Sequence, residues 1–119
     1  MLDYQRLDVY QKVRQMHIKV WQLLKKYKNI PYKIRDDLER ASFGVMTCIA
    51  EGAGRFTNPD KRRFYIDSRA SAFECVCCVE GCYDLNIISQ SELDDISNGY
   101  EEISKMLFKM IGNCSEKIK

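Results

Sequence analysis

The residues of this chain with reactive or metal-binding chemistry are six cysteines, one histidine and a scatter of arginines and carboxylates around two closely spaced glycines. Cys75, Cys78 and Cys82 recur at steps of three and four, which would put all three on one side of a helix. Cys48 holds an equivalent inward position on the preceding segment, so four sulfurs can in principle converge as a zinc ligand set. The spacing argues otherwise. Cys75-x-x-Cys78 has no second close pair, and cysteine is often buried simply as a small hydrophobe. The sulfurs are read as packing, with no metal and no cofactor; a cysteine-based metal protein is the distant alternative.

His17 is the only histidine. No local pattern places a nucleophile beside it, and the Glu-x-x-His repeats of di-iron bundles are absent, so it reads as a surface or interface side chain. Gly52-Ala53-Gly54 lacks the preceding strand and Gly-Lys-Ser/Thr ending of a phosphate loop, and reads as a helix stop using left-handed glycine conformations. Glu51, Arg55 and Glu74, with Arg40, Arg63 and Arg69, lie near a helix seam, where charges are costly unless paired. A salt-bridge network is expected there. No catalytic residue and no small-molecule substrate are assigned.

A second polar feature is cationic. Residues 1–28 carry seven Lys and Arg against Asp3 and Asp8, a balance of +5, whereas residues 89–119 carry four Lys against six acids, a balance of −2. Lys12, Lys19 and Lys26 stand one heptad apart, and Lys61, Arg62 and Arg63 open a later helix. Together they form a candidate anion-binding surface of the kind that contacts phosphate without reading bases. A solvated helix face is the competing reading.

Apolar periodicity defines the elements that position these groups. Val9, Val13, Met16, Val20, Leu23 and Tyr27 alternate in steps of four and three, a helical seam. Beside it runs a second stripe, Tyr10, Ile18, Trp21 and Leu24, expected to pack against another copy of the chain; a wide stripe in an irregular bundle is the alternative. Ile34, Leu38, Ala41, Val45, Cys48 and Gly52 give a second seam, opened by Pro31. Asn58-Pro59-Asp60 restarts the chain, with Asn58 as N-cap, and Phe64, Ser68, Ser71, Cys75, Cys78, Cys82 and Leu85 give the third seam. Ser89 and Glu92 form a capping box before Leu93, Ile96, Tyr100, Ile103, Leu107, Met110 and Cys114. Gly112 and the polar tail Ser115–Lys119 are read as a fraying end. Helices are expected at roughly 3–28, 32–53, 59–88 and 90–113. The fold class is all-α, an up-down-up-down antiparallel four-helix bundle forming one domain over residues 1–119.

The 119 residues are 45% hydrophobic and 30% charged, which excludes a disordered chain, and a net charge of +2 does not announce a nucleic-acid binder. No stretch approaches the length of a membrane span, and Met1–Arg6 has no apolar signal core, so a cytoplasmic protein with reduced cysteines is expected.

The run Ile49-Ala50-Glu51-Gly52-Ala53-Gly54-Arg55, followed by Arg63-Phe64 and Ala70-Ser71-Ala72-Phe73-Glu74, resembles the bacterial family of 23S rRNA intervening-sequence proteins. The likeness extends from Leu7-Val9-Tyr10 through Glu39-Arg40-Ala41 to the last helix. The family pattern maps onto a polar corner of Arg40, Glu51, Gly52, Gly54, Arg55, Arg63, Ser71 and Glu74. Cys48, Asp67 and Ala70 depart from it, standing where the family usually has Asn, an apolar residue and Gly. The resemblance implies a bundle without enzymatic activity that forms a homo-oligomer, commonly a five-membered ring. Some members are encoded inside inserted segments of large-subunit rRNA genes. A distantly related branch, the accessory variability determinant proteins of retroelements, binds nucleic acid and a reverse transcriptase, and is more basic than this chain. The function expected is thus a homo-oligomeric, non-enzymatic bundle, with RNA or DNA or a nucleoprotein as a possible partner. A protein-interaction scaffold with no nucleic-acid role is the alternative.

Overall fold

The computed structural model describes residues 1–114; the tail assigned to fraying lies outside them. Four helices, α1 (Asp8–Lys26), α2 (Tyr32–Ala53), α3 (Asn58–Asp84) and α4 (Gln90–Asn113), follow one another through short corners. The helix α1 packs on α2 and α4, and α3 packs on α2 and α4, while the diagonal pairs make no close backbone approach. This is the expected up-down-up-down bundle.

The seams fall where the periodicity puts them. Val13, Val20, Leu38, Val45, Ile49, Val79, Ile103 and Leu107 are fully enclosed, and the periodic Cys75 and Cys82 are enclosed with them. Enclosure of these side chains is the main source of stability, at roughly 1.5–3 kcal/mol for each large aliphatic one. Leu85, expected on the third seam, is exposed because it lies beyond the end of α3.

The ends correct several expectations. The first helix starts at Asp8 rather than Asp3: residues Asp3–Arg6 form a separate 3₁₀ turn, and Leu7 is extended at φ −75°, ψ 128°. The third stops at Asp84 rather than Ile88. Asn86, at φ 60°, is the one residue among those described with positive φ; the Ile87 N–H donates to Cys82 O and the Asn86 N–H to Tyr83 O. That is a Schellman ending, with asparagine in the place glycine usually takes. No described glycine is left-handed, so Gly52 and Gly54 do not stop α2 in the way expected.

Gly52 serves close approach instead. A Cβ there would sit 2.7 Å from the Tyr65 ring and 3.0 Å from Phe64 Cβ. Thr57, not Asn58, caps α3, accepting from the Asp60 N–H at 3.3 Å. The capping box of α4 forms as expected, with Ser89 Oγ accepting from Glu92 N and Glu92 Oε1 accepting from Ser89 N. Two helices, α2 and α3, also cap their predecessors with a cation: Arg35 donates to Leu24 O and Tyr27 O, and Lys61 to Ala53 O at 2.9 Å.

Candidate functional site

The hairpin α2–α3 sets the polar corner. Its antiparallel register places Arg40 beside Glu74, Gly44 beside Ser71, and Gly52 beside Phe64 and Tyr65. Arg40 accordingly donates to Glu74 Oε2 at 3.2 Å and to Asp37 Oδ1 at 3.0 Å. Donation from Lys33 at 3.1 Å, with Arg40 behind it, holds Asp37 below the usual carboxylate range. Glu51 is far along the hairpin from Glu74, and no ion pair to it is found among the described residues. The single network expected around Glu51, Arg55 and Glu74 therefore does not form. Near the glycines, Arg55 and Arg63 stack on the Phe64 ring, 4.6 and 4.4 Å from its centre, and Arg63 also reaches Asp60 at 3.4 Å. Phe56 stands fully exposed in the corner. Ser71 is half-buried and packs toward Gly44, and Gly54 caps α2 with ordinary right-handed angles.

Each lysine of the row lies beside an acid of α4, and Lys19 and Lys26 remain exposed. Lys12 pairs with Glu102 at 3.2 Å, Lys19 with Asp95 at 2.9 Å and Lys26 with Glu92 at 2.9 Å. Any anion at this row would therefore compete with α4, whose acids Glu92, Asp95 and Glu102, at steps of three and seven, already partner the three lysines. The signal was present as the −2 balance of the last segment. Lys61 is likewise spent on the carbonyls ending α2. Of the proposed surface, Arg62 is exposed, and Arg63 stays partly engaged with Asp60.

The second stripe of α1 divides. Leu24 is 1% exposed and belongs to the core, so it is withdrawn from the interface; Tyr10 is half-buried, edge-on to Tyr4. Ile18 and Trp21 do face solvent, at 56% and 42% exposure. Phe43 on α2, which the seam pattern passes over, joins them. Its ring centre lies 5.9 Å from that of His17, and the Trp21 ring centre lies 6.0 Å from that of the same imidazole. A groove of about 460 Å³ runs here between Trp21, Phe43, Asp36, Glu39 and Arg40.

His17 Nδ1 is 2.7 Å from Ser42 Oγ, a nucleophile neighbour that sequence spacing did not indicate. Ser42 is fully enclosed, so its hydroxyl has no access to a substrate; burial also lowers the His17 pKa below the usual imidazole value. The pair acts as a structural polar contact between α1 and α2.

The opposite side of the bundle carries an aromatic feature with no strong periodic signal. On α3 and α4, Arg69 lies between two exposed rings, 4.7 Å from the centre of Phe73 and 5.5 Å from that of Phe108, and Nε donates to Ser104 O. The adjoining groove is about 540 Å³. The cysteines do not converge: among the described residues no three His, Cys, Asp or Glu side chains gather as a metal site. Burial pushes the thiols of Cys75 and Cys78 up to about 12 and about 11.

Fold and surface together define a helical bundle with enclosed serine and sulfur groups and with aromatic side chains outside. A profile of the 23S rRNA-intervening sequence protein family matches residues 5–109, and the chain belongs to that family. The crystal structure of a protein of unknown function from the S23 ribosomal protein family of Bacteroides thetaiotaomicron superposes with a TM-score of 0.80 at 17% identity. The match covers 87% of this chain and 97% of that one. At that identity the likeness carries the fold alone. No curated protein matches the chain. No described helix is long and apolar enough to cross a membrane.

Proposed function

We propose that the protein is a non-enzymatic scaffold that joins copies of itself, with five copies in a ring as the family likeness implies, in the cytoplasm. The observation that carries this reading is the pair Trp21 and Phe43, exposed rings on α1 and α2 that share the contact with His17, with Ile18 also exposed on α1. Large exposed aromatics grouped in this way are what subunit contacts use, and water is a poor partner for them. Six unpaired cysteines fit a reducing compartment. Sedimentation equilibrium of the purified chain tests the reading: assembly above one subunit at micromolar concentration supports it, and a monomer at every concentration removes it.

A second role, contact with RNA or DNA, draws on the corner rather than on the lysine row. Arg55 and Arg62, with Arg63 shared with Asp60, carry the positive charge of the corner, where the exposed Phe56 ring can stack on an unpaired base. Binding to single-stranded RNA would then fall with salt at a slope set by about two or three phosphates. Arg62→Ala would lower that slope, and Lys19→Ala would leave it unchanged. Binding insensitive to salt would leave the scaffold reading alone.

A further inference from the structure

Among the described residues one buried side-chain polar atom lacks a hydrogen bond, the hydroxyl of Tyr100 on α4. It lies beside two other enclosed groups, Ser42 of α2 and the Cys75 thiol of α3. Ser42 Oγ in turn is 2.7 Å from His17 Nδ1 of α1, its only side-chain hydrogen bond among the described residues. Each of the four helices thus contributes one group to a single polar line. The line starts at the imidazole, half-buried in the groove that holds Trp21 and Phe43, and ends inside the core. Polar groups enclosed in this way are costly unless each finds a partner, so the protonation state at the open end bears on the whole line.

A hydroxyl has one proton to give, and this sets the order of the line. With His17 neutral and its proton on Nε2, Ser42 donates to Nδ1, and the serine lone pairs are the acceptor available to the Tyr100 hydroxyl. A protonated His17 accepts nothing. Its Nδ1–H donates to Ser42, the serine proton must swing away, and Tyr100 is left with Cys75, a weak acceptor. From this geometry we infer that His17, Ser42 and Tyr100 form a pH-sensitive switch, in which a proton taken up in the groove reverses the order of hydrogen bonds in the core. The same proton places a charge beside Trp21 and Phe43. Resting here on the self-assembly proposed above, protonation loosens the contact, because a covered imidazolium gives up its water. The charges around His17 do not offset this. Asp36 and Glu39 of α2 share its groove, but so does Arg40; Arg14, one turn earlier on α1, bonds Gln11. The acids that α4 brings against α1 are paired with Lys12, Lys19 and Lys26. Burial is what moves the His17 pKa, and it moves it down.

Because His17 is the only histidine, nitrogen-15 NMR of the full chain reports one imidazole. Neutral His17 is expected as the Nε2–H tautomer, with a titration midpoint below 6.5. Tyr100→Phe removes only the unpartnered oxygen and keeps the ring in the core. It is expected to raise the His17 midpoint by roughly half a unit to one unit, the worth of one hydrogen bond. A neutral proton found on Nδ1 overturns the switch, since His17 then donates to Ser42 in both states and nothing reverses. That observation is made on wild type, so it stands even if Tyr100→Phe folds poorly. A midpoint unmoved in folded Tyr100→Phe also overturns it, ending the line at Ser42. Sedimentation from about pH 5 to about 7.5 reads the effect on the face. Wild-type association is expected to weaken by up to about tenfold per subunit contact for each unit below the midpoint. His17→Asn, whose amide oxygen can accept from Ser42 and takes no proton, is expected to hold steady. Assembly that stays level or strengthens while His17 titrates overturns the link between switch and face. A wild type monomeric at every pH removes the self-assembly reading and that link together, while the tautomer and Tyr100→Phe still decide the switch.

Discussion

Gly52 shows how a single residue can be marked by its sequence and misread in its reason. Two glycines in Gly52-Ala53-Gly54 suggest a left-handed stop, yet Gly54 sits at φ −85° and no described glycine has positive φ. What Gly52 supplies is the absence of a Cβ where the Tyr65 ring crosses α2. Gly52→Ala is therefore expected to cost about 1–3 kcal/mol by overpacking. Gly112→Ala, at a helical position with nothing within 4 Å of the added carbon, should gain up to about 1 kcal/mol from helix propensity. Urea unfolding of the two variants checks both signs. Equal effects at the two positions would mean that backbone preference, not the ring, governs Gly52. The cysteines obey the same distinction between type and surroundings. Cys77 is exposed, whereas Cys75 and Cys82 are enclosed and burial raises both of their thiols. Mass spectrometry after brief alkylation of the native protein near neutral pH should find Cys77 labelled well before Cys75 or Cys82, which should react only on unfolding. Early labelling of Cys75 would show that the seam opens locally.

Between helices, the seams were legible because burial follows period: an apolar residue every three or four positions leaves no other face to enclose. Register was not legible, since nothing in a list of charges says which turn of α2 lies level with which turn of α3. Glu51 and Glu74 look like partners in a motif and are separated along the hairpin, whereas Arg40 and Glu74 are brought together by it. The same gap hid the pairing of Lys12, Lys19 and Lys26 with α4. Of these contacts the one at Glu92 has the clearest consequence. Burial alone would raise its carboxyl, but donation from the Ser89 backbone, the Tyr27 hydroxyl at 2.6 Å and Lys26 outweighs that and holds it near about 2, against an ordinary 4.5. A carboxylate with a depressed folded pKa stabilises the fold fully above its unfolded pKa. It loses that contribution as pH falls through the folded one. Wild type should thus lose stability between 4.5 and about 2, and Glu92→Gln should be less stable at neutral pH but show a shallower acid slope over that window. Asp37, lowered chiefly by Lys33, leaves part of the slope in the variant. Urea midpoints across the window measure it; identical slopes would place the acid sensitivity in other carboxylates.

At the scale of the whole molecule, the fold could be read from the chain because amphipathic helices with short corners admit few arrangements. The interacting surface could not, because exposure depends on which neighbour covers a stripe. Leu24 and Trp21 are three residues apart, yet α1 buries the first to 1% and leaves the second 42% exposed. Phe43, Phe73 and Phe108 lie off their seams and carried no periodic signal, so the faces emerge only once four helices are placed around one core. Trp21 is the only tryptophan, which makes it a reporter of the face it occupies. In a dispersed subunit its indole should emit at the longer wavelengths of a hydrated ring, and covering by another copy should shift emission to shorter wavelengths and slow quenching by iodide. Dilution should reverse both changes over the same concentration range in which sedimentation shows the mass falling. Coincidence of the curves is the expected result, since loss of apolar exposure at this cluster is the driving force assigned to assembly. A mass that changes while Trp21 emission stays constant would place the subunit contact elsewhere on the bundle, and would leave the exposed indole available to a different kind of partner.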